Sequence, residues 1–350
     1  MRNFISEDDI EQAILQKLEG DPFQYGILRC DPSPDKRELL PDGTGRSSKK
    51  ECVLPLILRE ALARLNPDIP GEKLEEIARD LCRDFSATDM TATNYKYYNQ
   101  IRNGIKISLR RNGKEDFDFV KLVDFDRPEN NTFTAVSQMW IQGRVYWRRP
   151  DVLIFINGLP MVFVELKNSI VKVEEAYNDN LKNYLRDIPN LFAFNQICVL
   201  SNGLETRLGA FNATYNHFFE WLKVNSEKER PDRQALKEAG TVGESSVRYF
   251  IDGLLRKDRL VDYIENFIMF RNQKNKIIAK NHQYFGVNNL MESVKNRAEL
   301  QGKLGVFWHT QGSGKSFSMV FFARKVRRKI PGNFTFLIIT DREDLDDQIH

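Results

Sequence analysis

At 350 residues the chain has length for two domains, or for one and part of another. A composition of 41% hydrophobic and 29% charged residues excludes a disordered or fibrous chain, and a net charge of +3 means that any nucleic-acid binding must come from local patches. Four scattered cysteines (Cys30, Cys52, Cys82, Cys198) argue against a disulfide framework or zinc site, and without an apolar leader or membrane-length run the expectation is a cytoplasmic protein with no membrane contact.

Ser6 with Asp9 three residues on forms a capping box, and Ile10, Ile14, Leu15 and Leu18 share one face, which predicts a helix from Ser6 onward. Glu7 and Glu11, four apart, fall on a common face of it. Residues 31–50 are rich in Pro, Gly and Ser and read as a long loop. Apolar spacing predicts helices over 51–65 and 71–85, whose faces speak for packing alone. Tyr95, Tyr97 and Tyr98 around Lys96 could stack on bases, although clustered aromatics more often pack half-buried. Strand patterns cover 118–125, 132–139 and 145–147. Arg144, Arg148 and Arg149 could touch phosphates or form a solvated basic edge.

Two apolar runs then flank Asn157-Gly158, a strong hairpin signal. Their apolar residues stand at consecutive positions, which predicts central strands buried on both faces. Charge is confined to the outer ends. Asp151 opens the first strand, and Glu165 and Lys167 close the second. These ends converge in a hairpin, so one small site would hold two carboxylates and an ammonium. Such a site suits one or two Mg²⁺ ions and phosphoryl chemistry, with Lys167 orienting a water or stabilising charge. Register decides whether the site exists. Side chains alternate along a strand, so Asp151 and Glu165 share a face only if paired positions sum to an even number. A plain two-residue turn gives an odd sum and parts them. The pattern therefore predicts an odd-length loop or a bulge.

Residues 173–186 read as a helix with Ala176, Asn180 and Tyr184 on one face. Strands follow over 196–200 and 205–211, the mixed-charge segment 226–243 reads as a linker, and 245–275 as helical. A short buried strand over 304–308 runs into Gly312-Ser313-Gly314-Lys315-Ser316 and an amphipathic helix, the context of a phosphate-binding loop. Its backbone would cradle phosphates, Lys315 would reach the β/γ-phosphates of ATP, and Ser316 would bind Mg²⁺. Residues 334–340 read as the next buried strand.

Pro150-Asp151 with Glu165-x-Lys167 resembles the PD-(D/E)xK nuclease motif, and RRPDVLIFINGLPMVFVELKN resembles the nuclease domain of type I restriction enzyme R (motor) subunits. The phosphate loop, with His309 where the first Gly of G-x-x-x-x-G-K-S usually stands, is similar to that of superfamily 2 helicases and translocases. His282-Gln283-Tyr284 resembles the adenine-reading element of such motors, with Gln283 the reading residue, and DREDLDDQ at 341–348 resembles their next motif. The resemblance implies an α/β chain. Over 1–240 lies a PD-(D/E)xK endonuclease domain, a restriction-endonuclease-like mixed sheet flanked by helices. Over 241–350 lie a linker helix and the truncated start of a RecA-like P-loop lobe. It implies Asp151 and Glu165 as Mg²⁺ ligands, the Leu166 carbonyl as a candidate third, and Lys167 acting on the water or the charged transition state. Tyr184 matches the Tyr of a Q-x-x-x-Y element, in which Asn180 replaces the Gln with one methylene fewer. Glu11 is an accessory candidate. The implied activity is cleavage of double-stranded DNA after ATP-driven translocation, in company with methyltransferase and specificity subunits. ATP hydrolysis is expected only of a longer protein, since these residues lack a water-orienting acid motif and an arginine finger. Two other readings remain: a recombination or repair nuclease-helicase independent of a methyltransferase, and a non-catalytic DNA-binding module.

Overall fold

A computed structural model describes residues 4–83, 89–111 and 114–339 of the chain. Seven strands form one mixed sheet: β1 (Gly26–Arg29), β2 (Phe133–Ser137), β3 (Val152–Ile156), β4 (Leu159–Leu166), β5 (Ile197–Ser201), β6 (Thr206–Gly209) and β7 (Phe219–Glu220), in that spatial order. β1 is parallel to β2 and β4 to β5, while the remaining neighbours are antiparallel. The central strands β3 and β4 are buried at every position, as consecutive apolar residues require.

Helices cover the sheet on both faces. They are α1 (Glu7–Glu19), α2 (Pro55–Leu65), α3 (Gly71–Cys82), α4 (Met90–Asn103), α5 (residues 173–187), α6 (Ser246–Leu254) and α7 (Lys257–Asn266), with α8 (Asn281–Lys295) and α9 (Lys315–Lys329) beyond. α1 begins at the capping box formed by Ser6 and Asp9 and buries Ile10, Ile14, Leu15 and Leu18. The Val152, Ile154 and Ile156 side chains join α1, α4, α6 and α7 in one core. Leu153 and Phe155 join α5 in the other.

The turn of the β3–β4 hairpin is Asn157-Gly158, both at positive φ (52° and 80°), the backbone that an Asn-Gly pair adopts most readily. Asn157 is fully buried and donates to the Leu122 carbonyl (2.9 Å) and the Asn131 amide oxygen (2.8 Å). From the turn, Ile156 faces Leu159 and Phe155 faces Pro160. Ile154 then faces Val162, with Met161 as the extra residue. Met161 and Val162 consequently contribute to the same core, and the pairing sum changes from odd to even.

Several elements differ from the sequence expectation. Residues 118–125 are not one strand; a hairpin of Ile105–Arg111 and Lys114–Val120 ends there. The helical reading of 245–275 divides into α6, α7 and a hairpin of Ile268–Arg271 with Asn275–Ile278. Tyr97 and Tyr98 are core residues of α4: Tyr97 packs on Phe194 (4.4 Å between centroids), and the Tyr98 hydroxyl donates to the Ile268 carbonyl. They are unavailable for stacking on bases. The segments 304–308 and 334–339 are not strands. Val306 (90%) and Leu337 (84%) are exposed, because an apolar run becomes a strand only beside another strand that pairs with it, and the described residues place none there. The RecA-like sheet is thus not assembled among the described residues, and the motif at 341–348 lies outside them.

Gly158 carries both a turn and a close approach. A Cβ there would stand 2.6 Å from the Leu54 carbonyl oxygen at a φ of +80°. Gly158→Ala should cost about 1–3 kcal/mol of stability, read as a lower urea midpoint. An unchanged midpoint would contradict this account of the turn.

Candidate active site

The bulge brings Asp151 and Glu165 to one sheet end and one face. The even register that pairs Val152 with Val164 sets Asp151 against Glu165 one step further out. Asp151 accepts a hydrogen bond from the Leu166 amide (2.7 Å), which anchors its carboxylate at the mouth of the hairpin.

Glu165 is 2% exposed. Its Oε1 accepts from the Asn180 amide and shares the single hydrogen of the Tyr184 hydroxyl (3.4 Å) with the nearer Arg149 carbonyl (3.0 Å). Asn180 and Tyr184 both lie on α5, which contains a π-helical turn over Ala176–Leu181. That wider turn carries Asn180, so the shorter side chain still reaches the carboxylate. The Tyr184 ring packs edge-on against Phe163 (5.3 Å), fixing the hydroxyl's direction. Glu165 Oε2 is buried with no hydrogen-bond partner among the described residues. A buried, unpaired carboxylate oxygen is costly, and such an atom commonly marks an ion or water.

The electrostatics are those of crowded carboxylates in a low dielectric. Burial pushes the Asp151 carboxyl up to about 6; the Leu166 amide opposes this, while Glu11 and Glu7 add to it. Burial, with Asp151 beside it, holds Glu165 well above the ordinary carboxylate range. Lys167 is half-buried, and its ammonium pulls both carboxyls back down. Glu11 is also raised, chiefly by burial, and accepts from the Gln138 amide, which lies 3.5 Å from Asp151 Oδ1. Gln138 was not legible in the sequence. It follows β2 at a φ of +57°, and its backbone N–H donates to the Asp151 carbonyl (3.0 Å).

The donor set fits a hard divalent cation. Asp151, Glu165 and the Leu166 carbonyl would offer oxygen donors, and the orphaned Glu165 Oε2 would gain a partner from a bound cation. Among the described residues no group of three or more His, Cys, Asp or Glu side chains could hold an ion. An ion held here would therefore keep several waters, as Mg²⁺ does.

The basic residues before the site separate in role. The Arg148 guanidinium donates to Asp187 at 2.8 Å. Arg149 donates to the Pro32 carbonyl (2.6 Å) and lies over the Trp140 ring, whereas Arg144 is exposed.

The second site is the loop before α9. Gly312 and Gly314 have positive φ (77° and 85°), and Lys315 opens the helix with Ser316 beside it in the first turn. Lys315 Nζ folds back to the His309 (2.8 Å) and Thr310 (3.2 Å) carbonyls. His282 donates to the Ser313 carbonyl (2.9 Å). The Gln283 side chain, 4% exposed, accepts from the Lys280 amide and donates to the Gly314 carbonyl (both 2.8 Å), so it caps its own helix and braces the loop.

The chain has relatives of known class. Residues 4–217 match the family model of the type I restriction enzyme R protein N terminus, and the chain belongs to that family. Residues 282–350 match the SWI2/SNF2 ATPase model. The type I restriction enzyme HindI endonuclease subunit of Haemophilus influenzae is 34% identical over 99% of this chain, which covers 32% of that protein. A Methanocaldococcus jannaschii protein, provisionally named the endonuclease subunit of type I restriction enzyme MjaIXP, is 30% identical over 97% of the chain, covering 33% of its own length. The Staphylococcus aureus SauCOLORF180P endonuclease subunit is 28% identical over 69% of the chain and 24% of its own length. The chain thus spans about a third of the first two relatives. No helix among the described residues is long and apolar enough to cross a membrane.

The raised Asp151 carboxyl has a stability consequence. Its folded value, about 6, exceeds the ordinary 3.8, so its contribution is full below pH 4 and is lost as pH rises through 6. In EDTA at pH 8, Asp151→Asn should stabilise the protein by about 1–3 kcal/mol, with the difference shrinking toward pH 4. Thermal melts at the two pH values check this; a destabilised variant at pH 8 would contradict it.

Proposed function

We propose that the chain is the nuclease-bearing part of a type I restriction endonuclease subunit, cutting double-stranded DNA by Mg²⁺-dependent phosphodiester hydrolysis. The observation that carries this is the juxtaposition of Asp151, the half-unpaired Glu165 and Lys167 at one sheet end, in a chain of the R protein family. Asp151, Glu165 and the Leu166 carbonyl would hold Mg²⁺, which supplies Lewis-acid assistance to the scissile phosphate and its attacking water. The chain's own groups do the rest. Asn180 and Tyr184 engage one oxygen of Glu165 and leave the other directed at the site. Lys167 brings a positive charge to where the phosphorane-like transition state gathers negative charge, and can orient the water. Gln138 ties Asp151 to Glu11 and so couples the site to α1.

The loop 312–316 with Gln283 is proposed as an ATP site of the larger protein, Lys315 engaging the β/γ-phosphates and Ser316 its Mg²⁺. The division at about residue 240 is proposed as the functional boundary between nuclease and motor. α6 and α7 nonetheless share the core of the sheet. Methyltransferase and specificity subunits are the proposed partners, on the strength of the family alone.

In plasmid cleavage with Mg²⁺ and ATP, Asp151→Ala, Glu165→Ala and Lys167→Ala should each abolish cutting by the intact protein while ATP hydrolysis stays within about twofold. Cutting at the normal rate by all three would refute the site. The 350-residue chain alone should release no phosphate from ATP above a Lys315→Ala control. Turnover dependent on Lys315 would show that the catalytic acid and arginine are supplied in some other way.

A further inference from the structure

The hairpin preceding the site is built unlike an ordinary surface turn. Ile141–Gln142 pairs with Trp147–Arg148, and the Gly143 N–H donates to the Tyr146 carbonyl (2.8 Å), leaving Arg144 and Val145 at the tip. Turn tips favour Gly, Asn, Asp, Ser and Pro, which lower the conformational cost of reversing the chain. Here the tip is arginine and a β-branched valine. Val145 is 77% exposed and Tyr146 54%. Neither folding nor solubility gains from exposing them.

The hairpin is also held rigidly. At its base the Arg148 guanidinium is bonded to Asp187 at the end of α5. Arg186 donates to the same carboxylate (2.7 Å) and lies 5.8 Å over the Tyr146 ring. Gly143 packs so closely on α5 that a Cβ would meet the Asp187 carbonyl oxygen at 1.8 Å. The helix that anchors the hairpin is the one whose Asn180 and Tyr184 hold Glu165. Asp151 is six positions on from Val145, so the tip lies within about 22 Å of the carboxylates. Charge favours a polyanion: three arginines (144, 148 and 186) stand against one aspartate (187).

We propose that residues 141–148 form a rigid prong that packs against duplex DNA beside the cleaved phosphate. Arg144 meets the backbone, and Val145 and Tyr146 enter the groove. A two-stranded ribbon is of a size that the major groove admits. This rests on the nuclease reading above but assigns a role that catalysis does not require.

The test places the photo-crosslinker p-benzoylphenylalanine at position 145 of the intact protein with its native partners, in a Lys167→Ala background, with labelled duplex DNA. A second protein carries it at Leu56, which is 59% exposed on α2, the helix that packs at the Asn157-Gly158 end of the hairpin. Irradiation should give a DNA adduct at position 145 and none at 56. Arg144→Ala should lower the salt slope of duplex binding by about one, as loss of a single phosphate contact does. Tyr146→Ala should weaken duplex binding about tenfold at a temperature where the variant, which loses the Arg186 contact, is still fully folded. Adducts to protein alone, no adduct, or equal adducts at both positions would overturn the proposal. Failure of the nuclease reading is distinguishable, because the unsubstituted protein would then not cut DNA at all.

Discussion

An extra residue in β4 decides what the end of this sheet can do. Between the Asn157-Gly158 turn and the outer ends of the hairpin, the strands pass from an odd to an even pairing at Met161. Without that step Glu165 would point into the opposite core, among the apolar residues packed with α1 and α7, and Asp151 would stand alone. The bulge is therefore as much part of the site as the carboxylates it aligns. Its cost, one residue without a partner on β3, falls in a hairpin whose strands are buried at every position, where neighbours on both faces hold it in place.

The same burial makes the site costly for the fold. Two carboxyls are withdrawn from water, with Glu11 and Glu7 near enough to raise Asp151 further. Asn180, Tyr184 and the Leu166 amide offset part of that cost, and Lys167 another part. Glu165 Oε2 stays unanswered. A cation is the natural complement of this imbalance. Beside Asp151, Gln138 Oε1 is a second buried side-chain oxygen without a partner among the described residues. Unpaired polar atoms together with a left-handed backbone at Gln138 are the kind of cost that selection for chemistry rather than stability leaves behind.

Much of this was legible in the residues. Consecutive apolar positions flanking Asn-Gly specified a central hairpin. Charge restricted to its outer ends marked the candidate site, and parity of the register called for an odd-length loop or a bulge, of which the structure has the bulge. The spacing of Asn180 and Tyr184 placed them on one helix face, although the π-turn that carries Asn180 has no plain sequence signal. Gln138 escaped because its role depends on a left-handed backbone at the end of β2 and on α1 arriving beside it, both tertiary facts. The expected strands at 304–308 and 334–340 show the limit of apolar runs as evidence. A run such as Leu304 to Trp308 becomes a strand only where a sheet receives it, and propensity cannot report whether the neighbours are present. The tyrosines of α4 went the other way, their polar tips satisfied inside the core.

The central claim is that Asp151 and Glu165 together form a divalent-cation site created by the register shift. Mn²⁺ binding, followed by electron paramagnetic resonance on the purified chain without DNA or nucleotide, tests it most directly. Saturable binding that is lost in both Asp151→Asn and Glu165→Gln, and retained in Lys315→Ala, is the result this account predicts. Binding that survives both carboxylate substitutions would contradict it.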